Sequence, residues 1–397
     1  MDREDARTIG LAIWRVRDAR GKSLRLVAGL AGMGKDTLQR IETGERSPTL
    51  AEIVALADAL QIAPSELTKL PVPAPANGPT DSAIKRVRSA MRAVSHGRPG
   101  GQVLPVEVLR ARVMATEDMH CRCDREREVG AALPGLIADL HTSIAAGRDV
   151  AELLELAMLL HVGVTTGWLR VAGAAIDLRE HAVLLGREAA EELDTPAALG
   201  LATWGGLHVM LADGQTDLAQ AELDSVSVPT NTPELTQLAG MLALCQSLVA
   251  AVDNRPTDVN SPLELASELA ERTGEGNAYA MGFGPTNVGC WRLHAAVEIG
   301  DHDSAITIAE ALRPDRHPQR GSQALYWVDY GRALTVVRSR HDDAVMALHR
   351  AELISPHQVQ RDPIARDTLA VLLRHSRRGS ATDEVLRGMA RRAGLPV

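Results

Sequence analysis

The sequence predicts an all-α protein in which a small N-terminal helical domain is followed by an α-solenoid of stacked helix pairs. Apolar residues, chiefly Ala and Leu, recur with a period near 3.6 along most of the chain, which is the period of an amphipathic helix. Aromatic residues make up only 2% of the sequence, so small side chains must fill the interior, which suits closely packed helices. Short breaks rich in Gly, Asp or Pro separate the helical stretches.

The N-terminal segment contains the signals for three short helices. Ser23 is a good N-cap for the first helix, and a tight turn at Gly32–Gly34 leads to a second helix that begins at Lys35. Thr49 and Glu52 have the spacing of a capping box for the third helix. Two short helices joined by a three-residue turn can present the second helix to the major groove of DNA.

The order of these residues resembles the Cro/repressor (XRE) helix-turn-helix domain, which is a five-helix DNA-binding fold. The matching positions are Ser23, Val27, Ala28, Ala31, Gly32, Met33, Thr37, Leu38, Ile41, Glu42, Gly44 and Pro48. The resemblance implies that Arg17 and Glu42 form a structural ion pair. It also implies two sets of DNA contacts. The residues that would read base edges are Gly34, Lys35, Asp36 and Arg40, and those that would contact phosphates are Thr37, Thr43 and Arg46.

The stretch Gly29–Lys35 has a competing interpretation, because it also spells most of a phosphate-binding P-loop. Such a loop needs a hydroxyl after the lysine to hold Mg²⁺, and Asp36 places a carboxylate there instead. Leu24–Val27 could pass for the strand that precedes such a loop. A nucleotide-binding domain also needs further strands and an acidic metal ligand downstream, whereas the sequence that follows predicts a helix, a proline-rich linker and another helix. We therefore favour the helix-turn-helix interpretation.

Charge is distributed unevenly along the chain, which has a formal net charge of −8. Residues 1–70 carry 11 basic and 10 acidic side chains, residues 71–112 carry 7 and 2, and the remainder carries 25 and 39. A basic N-terminal third joined to an acidic body suits a protein that touches DNA at one end only. The acidic body is also typical of a solvated helical surface, which is the interpretation we favour for that part.

The chain divides in sequence into a DNA-binding domain at 1–70, a linker region at 71–104 and a helical-repeat domain at 105–397. Pro71–Pro79 predicts a stiff, extended linker. The helix predicted for Ser82–Ser95 is basic, but it also carries an apolar stripe that favours packing against the repeats. The stripe consists of Ile84, Val87, Ala90, Met91 and Val94.

A recurring turn identifies the repeats. Gly214–Ala219, Gly300–Ala305 and Ser339–Ala344 each join a small residue, a short polar turn and an alanine five positions on. The last two alanines are 39 residues apart and the first two are 86 apart, or two units of 43, with Pro262–Ala270 in the unit between. Six or seven TPR-like helix pairs are predicted, and an irregular helical bundle is the alternative.

No catalytic motif is present, so we expect no enzymatic activity, no cofactor and no metal. His120–Cys123 has two cysteines, but they are too closely spaced for the usual metal-binding pair, and no second pair follows. The chain has four cysteines, which is too few for a disulfide framework. It lacks a signal region at its start, and charged residues interrupt its long apolar stretches. We expect a cytoplasmic protein with no membrane segment.

The segment Gly274–Asn287 is the best candidate for a ligand site. Pro285 suits the first turn of a helix, so the residues after it would lie near free backbone N–H groups. Asn amides can pair with a peptide backbone, although an Asn at a helix end is as often structural. The candidate ligand residues are Asn277, Phe283, Asn287, Trp291, Trp327 and Tyr330. Asp329 lies among these aromatic residues, and we favour an ion pair with Arg332 or a neighbouring arginine for it.

The whole chain resembles actinobacterial XRE regulators with TPR-like repeats and, more distantly, the peptide-pheromone (quorum-sensing) receptors of Gram-positive bacteria. The resemblance lies in the N-terminal module, in Phe283–Asn287 and in Trp327–Asp329 with Ala351–Glu352 and Ser355–Pro356. It implies a ligand-responsive transcriptional regulator whose partners are an operator of double-stranded DNA, a signalling peptide or small molecule on the concave face, and a second copy in a homodimer. The alternative is a DNA-tethered scaffold whose repeats bind a protein.

Overall fold

A computed structural model of the chain confirms the predicted all-α class. The structure describes residues 3–19, 22–60, 62, 67, 78–253, 255–376 and 382–395. In these residues all regular secondary structure is helical. The chain divides into two compact units, of which one contains Met1–Ala74 and Pro363–Val397 and the other contains Pro75–Asp362. The last helices thus group with the N-terminal segment, whereas the prediction assigned them to the repeats. Of the predicted linker Pro71–Pro79, residues 71–77 lie outside the described residues, and Gly78 and Pro79 belong to the next helix, which begins before the predicted Ser82.

Four helices of the first unit precede residue 61, and two follow residue 362. The second, third and fourth are the three predicted from capping signals, and the fifth helix implied by the XRE resemblance lies largely outside the described residues. The six are α1 (Arg3–Ala19), α2 (Leu24–Leu30), α3 (Lys35–Glu42), α4 (Leu50–Leu60), α19 (Pro363–His375) and α20 (Asp383–Arg392).

Both predicted caps form. The Ser23 hydroxyl accepts a hydrogen bond from the Leu26 N–H at 3.3 Å. At the start of α4 the Thr49 N–H donates to Glu52 Oε2 at 2.8 Å, and the Glu52 N–H donates to Thr49 Oγ1 at 3.3 Å. The bond from the Thr49 backbone is the main reason why the pKa of Glu52 is lowered. These local bonds fix where α2 and α4 begin.

The predicted ion pair between Arg17 and Glu42 is confirmed. Arg17 Nε and Nη2 donate to the two Glu42 carboxylate oxygens at 2.7 and 2.8 Å. Both side chains are nearly buried, with exposed fractions of 11% and 6%. The hydrogen bond to Glu42 raises the pKa of Arg17. Because the two residues lie on α1 and α3, this bidentate pair fixes the first helix to the second helix of the helix-turn-helix.

The second unit contains fourteen described α-helices, most of them in consecutive packed pairs. They are α5 (Gly78–Ser95), α6 (Val106–Cys121), α7 (Glu126–Ala145), α8 (Val150–Val171, π-helical over Leu159–Thr165), α9 (Ile176–Leu193), α10 (Pro196–Ala212), α11 (Thr216–Ser225), α12 (Pro233–Val252), α13 (Asn260–Thr273), α14 (Pro285–Glu298), α15 (His302–Ala311), α16 (Arg320–Thr335), α17 (His341–Ile354) and α18 (Pro356–Arg361).

The helices of this unit form a two-layered array. Helices α6, α8, α10, α12, α14 and α16 each contact the next member of the same series and form an inner layer. Helices α7, α9, α11, α13, α15 and α17 each pack beside the inner helix that precedes them and form an outer layer. Stacked helix pairs with this pattern of neighbours are an α-solenoid. The predicted solenoid, with six pairs between residues 106 and 354, is therefore observed.

The recurring turn marks the start of the outer helices, as its spacing indicates. The turns at 214–219, 300–305 and 339–344 open α11, α15 and α17, and the predicted intermediate unit is α13. Ala219, Ala305 and Ala344 are fully buried. A methyl group at this position lets the outer helix approach its inner partner closely, which explains why alanine recurs there.

The basic helix α5 packs into the array, as its apolar stripe predicts. Val87 and Met91 are fully buried in the main core, and α5 contacts α7. Lys85 and Arg86 remain exposed, and Arg88 lies 3.4 Å from Asp177 on α9. The helix is thus a structural part of the array that carries its charges on the outer side.

The last helix of the array returns to the first ones. Arg361, at the end of α18, donates through Nε to the Ala172 carbonyl at 2.5 Å and through Nη2 to Asp81 at 3.3 Å. Arg170 and Asp362 form an ion pair of 3.6 Å beside them. We call this group of contacts the closing seam, because it joins residues that are 280 positions apart in sequence.

Two helices have the length and composition of a membrane span, contrary to the expectation from the charges: Val150–Val171 and Pro233–Val252. Of their most apolar windows, 61% and 78% are buried inside the array. Both belong to the inner layer, where apolar surface on all sides is covered by neighbouring helices. Their composition is therefore explained by their position in the core.

Replacement of Glu42 by Ala should destabilise the helix-turn-helix, because Arg17 would be left buried without its carboxylate. We expect a loss of about 2–3 kcal/mol, measured as faster hydrogen exchange in peptides from α1 and α3 of the full chain. Glu45→Ala is the matched control, since Glu45 is 65% exposed and lies 3.9 Å from Arg40. Its effect should stay below about 1 kcal/mol, and equal effects of the two changes would contradict the structural role of Glu42.

Candidate DNA-reading helix and inner cluster

Helix α3 has one buried face and one exposed face. Leu38 and Ile41 are fully buried against the other helices of the first unit. Lys35, Asp36 and Arg40 are exposed on the opposite side. The residues predicted to read base edges thus share the free face of one helix.

The predicted phosphate contacts have less uniform surroundings. Thr43 is exposed and donates its hydroxyl hydrogen bond to the Arg40 carbonyl at 3.3 Å. Arg46 donates to Glu52 at 2.9 Å, so the acid that caps α4 also holds this arginine. Gly34 is the N-cap of α3 without a side-chain hydrogen bond, and Thr37 follows in the first turn, half-buried. These positions remain predicted DNA contacts.

The P-loop alternative is wrong. A P-loop follows a β-strand, but the residues before the glycine-rich turn form helix α2. The next helix begins at Lys35, and its first turn holds the Asp36 carboxylate where the Mg²⁺-binding hydroxyl would have to be.

Two of the predicted ligand residues, Phe283 and Asn287, lie in the core. Phe283 is fully buried, and a Cβ atom at Gly240 on α12 would overlap its ring. Asn287 is 2% exposed and donates from Nδ2 to Met241 Sδ at 3.3 Å. At the start of α14, Thr286 donates from N and Oγ1 to Glu275 at 3.0 and 2.6 Å. The N–H groups expected to be free near Pro285 are thus partly occupied.

The other four candidates lie in separate places. Asn277 is exposed and accepts a hydrogen bond from Gln319 Nε2 at 2.8 Å. Trp327 and Tyr330 pack with each other at 6.2 Å between ring centroids, and Arg350 lies 4.6 Å above the Trp327 ring. Trp291 on α14 belongs to another ring cluster. The structure therefore does not bring the six predicted ligand residues onto one surface.

Asp329 takes part in a buried charge network, as the sequence analysis favours. Its carboxylate accepts from His294 Nδ1 at 2.8 Å and from Arg332 Nη1 at 3.0 Å, and Arg332 also pairs with Glu298 at 2.9 Å. Burial would lower the pKa of His294, but the charge and hydrogen bond of Asp329 outweigh it and raise that pKa. The network links α14 to α16 across the inner layer.

A cluster of rings on the inner layer was not found from the sequence. The Trp204 and His208 rings, four residues apart on α10, meet edge to face at 5.8 Å, and His208 lies 6.0 Å from Trp291. Burial is the main reason why the pKa of His208 is lowered to about 4, followed by the charge of Arg170. The i, i+4 spacing of Trp204 and His208 is the one local signal that could have revealed it. We call Trp204, His208 and Trp291 the inner cluster.

The two closely spaced cysteines are in an environment that keeps them protonated. Burial raises the pKa of Cys121 to about 12 and that of Cys123 to about 11. Cys123 is buried, and its Sγ donates to the Cys121 carbonyl at 3.7 Å. In the described part of the chain, no three His, Cys, Asp or Glu side chains are grouped as they would be around a metal ion. A thiolate reaction therefore has no support at this position.

Replacement of Asp329 by Asn should destabilise the array, because His294 and Arg332 would lose their shared counter-ion. We expect a loss of about 3–5 kcal/mol in the free energy of unfolding, measured by urea denaturation. The pKa of His294, followed by NMR, should fall. A raised histidine pKa stabilises the fold below the ordinary value of about 6.5, and this contribution is lost as the pH rises through the raised pKa.

Asp303→Asn is the control for this change, since Asp303 is exposed on α15. It should alter neither the stability nor the titration of His294. An unchanged His294 titration in Asp329→Asn would contradict the network described.

Comparison with known proteins identifies the N-terminal segment. Residues 9–70 match a family model described as a helix-turn-helix domain. The chain matches none of the curated proteins with which it was compared. Among solved structures it is similar to the apo form of ComR from S. thermophilus, with 14% identity, a TM-score of 0.27, and 78% of this chain and 95% of that chain covered. It is also similar to the apo form of the competence regulator ComR from Streptococcus vestibularis, with 13% identity and a TM-score of 0.16. That match covers 99% of this chain and 100% of the other.

The family match and the geometry of the first unit agree. The matched residues include all of α2, α3 and α4. They carry the two caps, the Arg17–Glu42 pair and the exposed row on α3. The N-terminal segment of this chain, residues 9–70, contains a helix-turn-helix domain.

Proposed function

We propose that the chain is a ligand-responsive transcriptional regulator without enzymatic activity. It binds double-stranded DNA through α3 and works as a homodimer in the cytoplasm. Its effector is a peptide or small molecule that binds the inner, concave surface of the array. The observation that carries the proposal is the exposed row of Lys35, Asp36 and Arg40 on the second helix of a helix-turn-helix.

The chemistry of that row suits base recognition. The Arg40 side chain is 60% exposed, and its one ion pair with a residue that the structure describes is a long contact of 3.9 Å to Glu45. A free guanidinium can donate two hydrogen bonds to one guanine in the major groove. A helix-turn-helix of this kind reads one half-site, so a two-half-site operator calls for a dimer.

An effector site on the array is supported by the partly exposed rings of the inner layer. Of the predicted ligand residues, Asn277, Trp291, Trp327 and Tyr330 keep exposed surface. Indole rings supply large apolar contact area with a polar N–H group. Phe283 and Asn287 are both buried, so they could hold the residues of such a site in position but could not contact the ligand.

A protein-binding scaffold is the second candidate, and the burial of Asn287 and Phe283 favours it. The groove of about 340 Å³ beside α14 is lined by neither side chain. Its walls include Pro285 and Val288 of α14 and Leu312 after α15. Native mass spectrometry of the full chain separates the two functions: a retained peptide or small molecule favours the sensor, and co-purification of a defined protein in its absence favours the scaffold.

Replacement of Arg40 by Ala should weaken binding to a preferred site selected from random DNA by about 1–3 kcal/mol and relax the preference at one base pair. Binding would be measured by fluorescence anisotropy at fixed salt on the selected site and on unrelated DNA. Arg148→Ala, at an exposed position of the array, is the matched control and should change neither. An equal loss on both DNAs would show that Arg40 contacts only phosphate.

Replacement of Lys85 and Arg86 by Gln should leave the salt dependence of DNA binding unchanged, because α5 packs into the array. If either side chain neutralised a phosphate, its removal would reduce the slope of log K against log salt by about 0.9. The slope would be measured between about 50 and 200 mM salt, where the loss of a phosphate contact changes the affinity measurably. A reduction of about 1–2 in the slope would mean that α5 also approaches the DNA backbone.

A further inference from the structure

The surroundings of the inner cluster contain two hydrogen-bond donors without an acceptor. Arg179 Nε and Trp204 Nε1 are both buried, and no described residue accepts a hydrogen bond from either. A buried donor without a partner costs about 1–3 kcal/mol. Native proteins retain few such groups, and each calls for a specific explanation. One such explanation is a ligand that supplies the missing hydrogen-bond acceptor.

Arg179 stands out among the arginines near the inner cluster. It lies in the first turn of α9 and forms no ion pair with any residue that the structure describes. By contrast, Arg170 pairs with Asp362, and Arg332 pairs with Glu298 and Asp329. Burial is the largest cause that lowers the pKa of Arg179, followed by the charge of Arg170. Arg179 is thus a poorly solvated cation that forms no ion pair with a described carboxylate, although the charges of Asp362 and Asp213 act on it from a greater distance.

This cation lies near the rings. Arg179 lies on α9, which packs beside α10, the helix that carries Trp204 and His208. Its charge is one of the causes that lower the pKa of His208. His208 is neutral at pH 7, because its pKa is about 4, so it adds no charge. Trp204 and Trp291 flank His208 and keep partly exposed rings. The place therefore combines one unpaired positive charge, an indole N–H donor and apolar ring surface.

We propose that Arg179 and the inner cluster bind the carboxylate of an amphiphilic monoanion, with its apolar group against Trp204 and Trp291. Either the C-terminus of a short peptide or a small aromatic acid has this chemistry. A dianionic phosphate is disfavoured, because the negative charges of Asp213 and Asp362 also reach Arg179. The proposal rests on the proposed function and names the chemical class of its effector.

Isothermal titration calorimetry on the full chain, without DNA, tests the site directly. The probes are 3-phenylpropanoate and N-acetyl-Ala-Phe with a free carboxylate, each compared with its neutral amide. We expect the acid of at least one pair to bind about tenfold more tightly than its amide, as a charge-assisted hydrogen bond predicts. A preference for one acid over the other separates the small-acid source from the peptide source. Inorganic phosphate should not compete.

Arg179→Met should remove the preference for acid over amide. Arg148→Met, which deletes the same charge at an exposed position of the array, should keep it. Trp204→Phe, which keeps a ring but loses the N–H donor, should weaken binding of the acid severalfold. Because Arg179 has no partner to lose, Arg179→Met should melt no lower than the wild type. If it does not fold, Arg179→Lys replaces it and should weaken the preference.

Absence of any preference for the acid in the wild type, or a preference that survives in both Arg179 variants, would overturn the site. Competition by phosphate would overturn its assignment to a monoanion. These results leave the DNA-binding measurements on Arg40 untouched. Failure of the chain to bind DNA, with acid binding intact, would instead overturn the proposed function and leave the site standing.

Discussion

The close approach of helices is the constraint on which the array depends. With one Phe and five Trp in 397 residues, large side chains cannot fill gaps between helices, so the backbones must come together. Where a large ring does enter the core, a glycine makes room for it: Phe283 occupies the place that a Cβ at Gly240 would take, and Trp168 does the same at Gly130. Recurrent buried alanines serve the same purpose at the outer helices.

The first unit could be predicted in detail because its signals are local or belong to a specific family pattern. Ser23, Thr49 and Glu52 each bond to a backbone group three positions away, so these contacts can be read from the spacing in the sequence. The starts of α11, α15 and α17 could be predicted for a similar reason, since a short turn and a buried alanine recur there. The Arg17–Glu42 pair joins distant residues, and only the family resemblance indicated it.

The inner surface could not be predicted in the same way. Whether Asn287 faces solvent depends on Met241, which lies 46 positions earlier and on another helix. Trp291 and Trp327 look equivalent in sequence, but the first meets His208 and the second meets Tyr326. Arg179 forms no ion pair with a described residue because no carboxylate among the side chains packed around it comes close enough, and this depends on several helices at once. Composition and periodicity carry no information about such contacts, because they are decided by how the pairs stack.

The closing seam has a consequence for how the array comes apart. An open row of helix pairs, in which each pair touches only its neighbours, can fray from an end or melt in the middle independently. Arg361 ties the final helix to Ala172 and Asp81 near the beginning, so the two ends protect each other. Because its last helix contacts its first ones, the array should unfold in one cooperative transition and not pair by pair.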